Sequence, residues 1–401
     1  METVALLQQL AVQADTKLVL LVMDGLGGLP HPETGRTELE TARTPNLDAL
    51  ARQGSVGLLT PIAPGVTPGS APAHLALFGY DPVQYQIGRG VLSAVGVGMH
   101  LTPQDVACRV NFATMRDGLI TDRRAGRIPT DEAERLCRRL SEIRLPGVQI
   151  DIWPEMQYRA VIVWRGEGLS EQLADTDPQV TGKPPLPARA LTPEAEATAA
   201  LVNQFVAEAN RLLADEPRAN TILLRGFGRL PAIPSLTELY GLRAAVLAVY
   251  PMYRGLAKLV GMKELPAGKG LADQLAALRA AWSDYDYFFL HVKGTDAAGE
   301  DGDFQRKVQE IEAVDAIIPE LMALGPDVLV VTGDHSTPAV LRSHSWHPVP
   351  ALLWARSARS NPWVEGFGET ACARGTLGSI RSRDLLGLML AHGQRLKKFG
   401  A

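Results

Sequence analysis

Cysteine is scarce in this chain: Cys108, Cys137 and Cys372 are the only three in 401 residues. They lie far apart and form no CxxC, which argues against a disulfide framework or a cysteine-held zinc. It argues for a reducing compartment, the cytoplasm. Excess charge is missing too. A net charge of −4 gives no basic surface for nucleic acid or an anionic membrane. No apolar run approaches the ~20 residues of a membrane-crossing helix. The opening METVALLQQLAVQADTK lacks the basic start of a secretory signal, so none is expected. Repeats and low-complexity tracts are also missing. With 46% apolar and 21% charged residues, the composition is that of an ordinary globular protein. The length exceeds what one core usually supports, so two domains are expected.

Chemistry-bearing residues recur where apolar runs stop. VLVVT (328–332) reads as a short strand buried on both faces, and the chain then delivers Gly333, Asp334 and His335. Alone, such an Asp–His pair reads as a turn aspartate and a surface histidine. At a strand's carboxyl end it offers a hard oxygen and an imidazole nitrogen to a divalent cation. LVLLVM (18–23) is a second such strand and ends in Asp24 and Gly25. Thr44 and Pro45 open a helix that Gly54 closes, a β-α-β start pointing to a doubly wound sheet. AAVLAVY (244–250) and YFFLHV (287–292) continue the pattern, the latter leading into Lys293 and Asp296. Asp296 and Glu300 are four apart, which puts both on one face of a helix. VPALLWA (349–355) reads as a further strand and residues 382–391 as a Leu-rich helix.

Two other passages stand out. In VTPGSAPAHLALFGYDP (66–82), Ser70 precedes a helix and reads as its N-cap. The same place favours a phosphate, and beside a cation the hydroxyl can ionise and attack. His74, one turn on, either faces such a site or packs; packing is the simpler reading. From Cys108 onward arginines crowd, most densely in DRRAGRI (122–128) with Arg123, Arg124 and Arg127. Guanidinium groups suit bidentate recognition of carboxylate and phosphate. A helix near 194–213 and a strand TILL (221–224), ending at Arg225, complete this part.

Taken together, Asp24, Ser70, Asp296, Glu300, Asp334, His335 and His344 all read as lying at or just past strand ends. That number of oxygen and nitrogen donors suffices for two neighbouring cations, which ~3.5–4 Å apart clamp both oxygens of a phosphoryl transfer. In this ordered set the sequence resembles the alkaline-phosphatase superfamily and, more closely, the archaeal-type cofactor-independent phosphoglycerate mutases. The resemblance runs from about Leu18 to Gly378. LVMDGLGG, TPNLDALARQG, PGSAPAHLALFGYDP, GRG, DRRAGRI, HVKGTDAAGEDGD and VTGDHSTP…HSWHPVP carry it.

The resemblance implies an α/β fold, an alkaline-phosphatase-like doubly wound, mostly parallel sheet with an inserted smaller α/β cap domain. The core would comprise residues 1–107 and 238–401, and the cap residues 108–237. Ser70 would be phosphorylated in turnover as 3-phosphoglycerate and 2-phosphoglycerate interconvert. Asp24, Ser70, Asp334 and His335 would hold one divalent metal ion, and Asp296, His344 and Glu300 the other. Arg123, Arg124, Arg127, Arg225, Arg254 and Lys293 would bind the phosphorylated small-molecule substrate. No organic cofactor, nucleic acid or membrane is implied, and the oligomeric state is not specified. The family usually has His at the position of Glu300. A hard carboxylate there favours manganese or magnesium, with zinc or cobalt as alternatives. The rivals are a phosphomonoesterase or phosphodiesterase of the same superfamily and a non-catalytic, metal-stabilised binding protein. An intact Ser70 counts against the second.

Overall fold

The computed structural model describes residues 3–400. The chain divides into two compact units, one built from the segments before Ile87 and after Ala232, the other from Ile87–Ala232.

The first unit is organised on an eight-stranded sheet. Its order is Gly378–Arg381, Ser55–Thr60, Val349–Ala355, Val328–Thr332, Leu18–Met23, Tyr287–Val292, Ala244–Ala248 and Lys263–Glu264. Pairing is parallel except where Val349–Ala355 runs against both its neighbours. The architecture is the doubly wound, mostly parallel α/β sheet with an insertion. The central strands are buried throughout, as their unbroken apolar runs require. Side chains alternate between the faces. Val19, Leu21, Phe288, Leu290, Leu329 and Val331 share a core with helices Pro45–Gln53 and Phe304–Ala323. On the other face Phe289 meets Phe78 and His74, so helix Ser70–Leu77 packs there.

Register aligns the chemistry. Met23 pairs with Val292, and Val22 with Thr332. Asp24, Lys293 and Gly333–Asp334 therefore leave the sheet side by side, with Leu18–Met23 in the middle. Its two neighbours lie on opposite sides, which is where a doubly wound sheet opens a crevice beyond its strand ends.

The second unit carries a five-stranded sheet. Val106–Arg116 is flanked by Leu119–Asp122, Arg159–Arg165 and Thr221–Gly228, and Gln149–Met156 pairs on Arg159–Arg165, all antiparallel. Helices Thr130–Leu140 and Glu196–Leu212 cover one face of it and share its core. The insertion begins earlier than residue 108. A cut between 107 and 108 would divide the strand Val106–Arg116. The helix Arg89–Gly96 also belongs here, because Gly90 brings its backbone onto that strand. A Cβ at Gly90 would sit 2.3 Å from Cys108 Cα. At the far side the unit ends at Ala232 rather than 237, before a helix capped by Ser235.

Three other expectations are adjusted. The strand from Ala244 stops at Ala248, because Pro251 begins a helix. The Leu-rich segment starts as a 3₁₀ turn at 382–384 before the helix Leu385–His392. Ser70 is the first residue of its helix, with Gly69 at the N-cap, so its hydroxyl is not spent on capping. All three cysteines are buried and unpaired. Among the described residues no helix is long and apolar enough to cross a membrane.

Candidate metal and nucleophile site

Asp24 is completely buried, and its two oxygens have different surroundings. Oδ2 accepts from the Tyr253 hydroxyl, from Lys293 Nζ at 3.0 Å and from His291 Nε2 at 3.2 Å. Oδ1 accepts no hydrogen bond and lies 3.3 Å from His335 Nε2. Burial alone would raise the Asp24 pKa. Lys293, the bond from His291 and the nearby His335 imidazole outweigh it and hold Asp24 well below the carboxylate range. Lys293 likewise overcomes its burial, through Asp24 and Asp296, and is held firmly charged. Gly25 makes the turn at φ +65°, and a side chain there would collide with Thr337 and Asp296. Its N–H donates to Asp334 Oδ1 at 3.0 Å, tying the two carboxylate loops together.

Asp334 repeats the asymmetry. Oδ2 lies 3.2 Å from both His335 Nε2 and His74 Nδ1, yet neither contact is aligned as a hydrogen bond. Thr337 settles the orientation of His335. Its hydroxyl donates to Asp296 Oδ1 at 2.7 Å, so it accepts from His335 Nδ1 at 3.0 Å. His335 Nε2 is thereby turned towards Asp24, Asp334, Asp296 and, at 3.2 Å, Ser70 Oγ. Burial would lower the His335 pKa, but Asp334, Asp24 and Asp296 raise it to about 9. His344 stacks on His335 at 3.7 Å, and its Nδ1 lies 3.0 Å from the Pro68 carbonyl. Since a carbonyl only accepts, Nδ1 carries the hydrogen. His344 Nε2 is left facing Asp296 Oδ1 at 3.6 Å.

These donors fit divalent cations. Asp24, Asp334 and His335 form one trio and Asp296, His335 and His344 another, each with ligand atoms within 4.8 Å of one another. The unbonded oxygens of Asp24 and Asp334 face the imidazole nitrogens. Both imidazoles spend Nδ1 elsewhere, as metal-binding histidines do. His335 belongs to both trios, although the sequence placed it with only one. Glu300 falls outside them: on helix Gly294–Asp301 it is exposed, with Oε1 3.8 Å from His344 Nε2.

Of the six expected substrate-binding residues, Lys293 lies inside this cluster, between Asp24 and Asp296. Arg254 is paired with Glu264 at 2.9 Å and does not join it. Arg123, Arg124 and Arg225 line a cavity of about 160 Å³ in the second unit, together with Arg89, Arg109, Arg159, Asn111 and Tyr158. Arg123 grips Asp177 with two bonds of 2.8 Å, and Arg225 reaches it at 3.3 Å. Burial, and then the neighbouring Arg109 and Arg225, lower the pKa of Arg89. Arg127 is exposed and does not line the cavity.

Reasoning from sequence passed over several residues the geometry brings in. Thr337 stood within the quoted GDHSTP. His291 was hidden in an apolar strand, where only its phase, two residues after Phe289, places it on the helix Ser70–Leu77 face. Tyr253 carried no signal beyond following a strand end. Lys307, fully buried, donates to the Gly27 and Thr337 carbonyls at 3.1 and 2.9 Å and so braces both carboxylate loops.

Comparisons with known proteins agree with one another. The sequence model of a family described as 2,3-bisphosphoglycerate-independent phosphoglycerate mutase matches residues 51–219. A Thermus thermophilus protein described as a probable 2,3-bisphosphoglycerate-independent phosphoglycerate mutase is 50% identical over 407 residues, all of both chains. A solved protein from Pyrococcus horikoshii superposes with a TM-score of 0.83 at 31% identity, covering 96% of this chain and 99% of that one. The cofactor-independent phosphoglycerate mutase of Thermoplasma acidophilum gives 0.71 at 31% identity, covering 94% and 99%.

Proposed function

The chain belongs to the 2,3-bisphosphoglycerate-independent phosphoglycerate mutase family, and from that premise we propose that it interconverts 3-phosphoglycerate and 2-phosphoglycerate through a phosphoserine at Ser70. The observation that carries the reading is the placement of Ser70 Oγ, 3.2 Å from His335 Nε2. Asp24 Oδ1 and Asp334 Oδ2 converge on that same nitrogen.

In this reading Asp24, Ser70, Asp334 and His335 hold one divalent cation, and Asp296, His344 and Glu300 the other. The cations, when bound, supply Lewis-acid charge that lowers the pKa of the serine hydroxyl and neutralises phosphoryl oxygens. Ser70 Oγ takes the phosphoryl group, and the glycerate, reoriented but not released, accepts it back on its other hydroxyl. Lys293 adds a fixed positive charge to the cluster. Arg123, Arg124 and Arg225, with Arg89, Arg109 and Arg159, offer guanidinium groups to the substrate's carboxylate and phosphate. Oxygen-rich donor sets favour manganese or magnesium over zinc. The three unpaired cysteines support a cytoplasmic setting.

The test is to incubate the protein with 3-phosphoglycerate and Mn²⁺ and follow 2-phosphoglycerate and free phosphate together. Formation of 2-phosphoglycerate in excess of phosphate is expected. Phosphate alone would assign the chain to hydrolysis instead.

A further inference from the structure

His74 lies one turn after Ser70 on the same helix, and its ring is wholly buried. The ring packs against Tyr253 at 4.8 Å and Phe289 at 5.7 Å between centroids, which by itself describes a core residue. Two observations show more than packing. Nε2 is buried without a hydrogen-bond partner, a desolvation penalty that a phenylalanine in the same slot would avoid. Nδ1, by contrast, is engaged on the site side. It lies 2.8 Å from the carbonyl oxygen of Ser70 and 3.2 Å from Asp334 Oδ2. A carbonyl oxygen only accepts, so Nδ1 carries the hydrogen.

We infer that His74 is a positioning residue: its Nδ1–H bonds the Ser70 carbonyl while the same polar edge lies 3.2 Å from Asp334 Oδ2, so that the backbone of the nucleophile is set beside a carboxylate of the proposed cation site. The inference rests on the reading of Ser70 and Asp334 given above. It adds a residue that touches neither substrate nor cation. Helix geometry explains why the link is rigid. Residues four apart share a face, and the side chain of the later one leans back over the earlier turn. The aromatic contacts then keep the imidazole from rotating away. Partners of this outer kind typically change metal affinity or activity by about 10–100-fold when removed.

The test uses three variants and Mn²⁺ as the probe. His74→Phe keeps the ring volume and removes the unpartnered nitrogen, so its melting midpoint in chelator should not fall. Its Mn²⁺ affinity, measured by calorimetry without substrate, should weaken by about 10–100-fold. At saturating Mn²⁺, kcat should drop while KM for 3-phosphoglycerate stays within about twofold, because the substrate-binding groups are untouched. His74→Asn places an amide N–H where Nδ1–H stood and should recover most of both losses. His74→Gln reaches instead towards the Nε2 position and should not. Wild-type Mn²⁺ affinity and kcat in His74→Phe would overturn the inference, as would Asn and Gln variants that behave alike. If His74→Phe does not fold, the Asn and Gln comparison decides alone. The Mn²⁺ titration needs no turnover. A failed mutase assay on the unsubstituted protein is therefore a separate result.

Discussion

Loading the site with metal should expel a proton from His335, and the amount follows from its surroundings. In the metal-free protein the carboxylates of Asp334, Asp24 and Asp296 hold His335 charged, with a pKa of about 9. The unfolded chain's histidine titrates near ~6.5. His335 therefore contributes stability that is complete below about pH 6.5 and is lost as pH rises through about 9, worth at most about 3 kcal/mol. A ligating imidazole must be neutral, and at pH 7.5 only about 3% of His335 is. Apparent cation affinity should thus be about 30-fold below its limiting value at pH 7.5, rising about tenfold per pH unit below pH 9. The two states should respond to pH with opposite sign. In chelator the melting midpoint should fall between pH 6.5 and 9, whereas in limiting Mn²⁺ the midpoint gained on binding should grow over the same range. Calorimetric Mn²⁺ titrations at pH 7.5, in buffers of different ionisation enthalpy, should report about one proton released per chain. No proton release, with a flat midpoint in chelator, would refute the argument that three carboxylates keep this imidazole charged.

Ser70→Ala should abolish turnover and any phosphoenzyme, yet melt within about 1–2 kcal/mol of the parent, since the hydroxyl's contacts with His335 and Tyr253 are lost. Turnover near the parent's would exclude the covalent route. Arg124→Ala should raise KM for 3-phosphoglycerate by about tenfold or more, the value of one charge-assisted hydrogen bond. Arg127→Ala, outside the cavity, should leave KM unchanged, and equal effects in steady-state kinetics would contradict that assignment. Arg123→Ala should also destabilise the second unit by about 1.5–3 kcal/mol, seen in thermal melts, because buried Asp177 loses its bidentate partner and keeps only Arg225 and the Gln179 N–H. Glu300→His should shift metal preference towards zinc or cobalt, and Glu300→Ala should weaken binding at the site of Asp296 and His344. Unchanged metal content and preference in both would make Glu300 a solvated helix-face residue.

The strands Leu18–Met23, Tyr287–Val292 and Val328–Thr332 were legible from sequence because unbroken apolar runs ending in Gly or Asp are a local signal. Asp24, Asp334, His335 and Asp296 were legible with them, since a strand's carboxyl end is a place in sequence as well as in space. The entry to the inserted unit was not. The helix Arg89–Gly96 belongs there through the close approach of Gly90 to Cys108, a contact that no neighbouring residue encodes. Local pattern also made Ser70 a cap and His74 a packing residue. Only the folded chain turns the Ser70 hydroxyl towards His335 and the His74 Nδ1 towards Asp334. The same holds for Tyr253, Thr337 and Lys307. Each acts through one or two hydrogen bonds to groups that strand register brings near, and register is a property of the sheet rather than of any segment. Arg123, Arg124 and Arg127 look equivalent in DRRAGRI. A backbone in left-handed conformation from Ala125 to Arg127 turns the chain so that two of them line the cavity and the third faces solvent. Composition and period determined what kind of fold and chemistry the chain supports, because those act over a few residues. Which oxygen, nitrogen or guanidinium meets which partner depends on distances between distant segments, and these exist only once the sheet has formed.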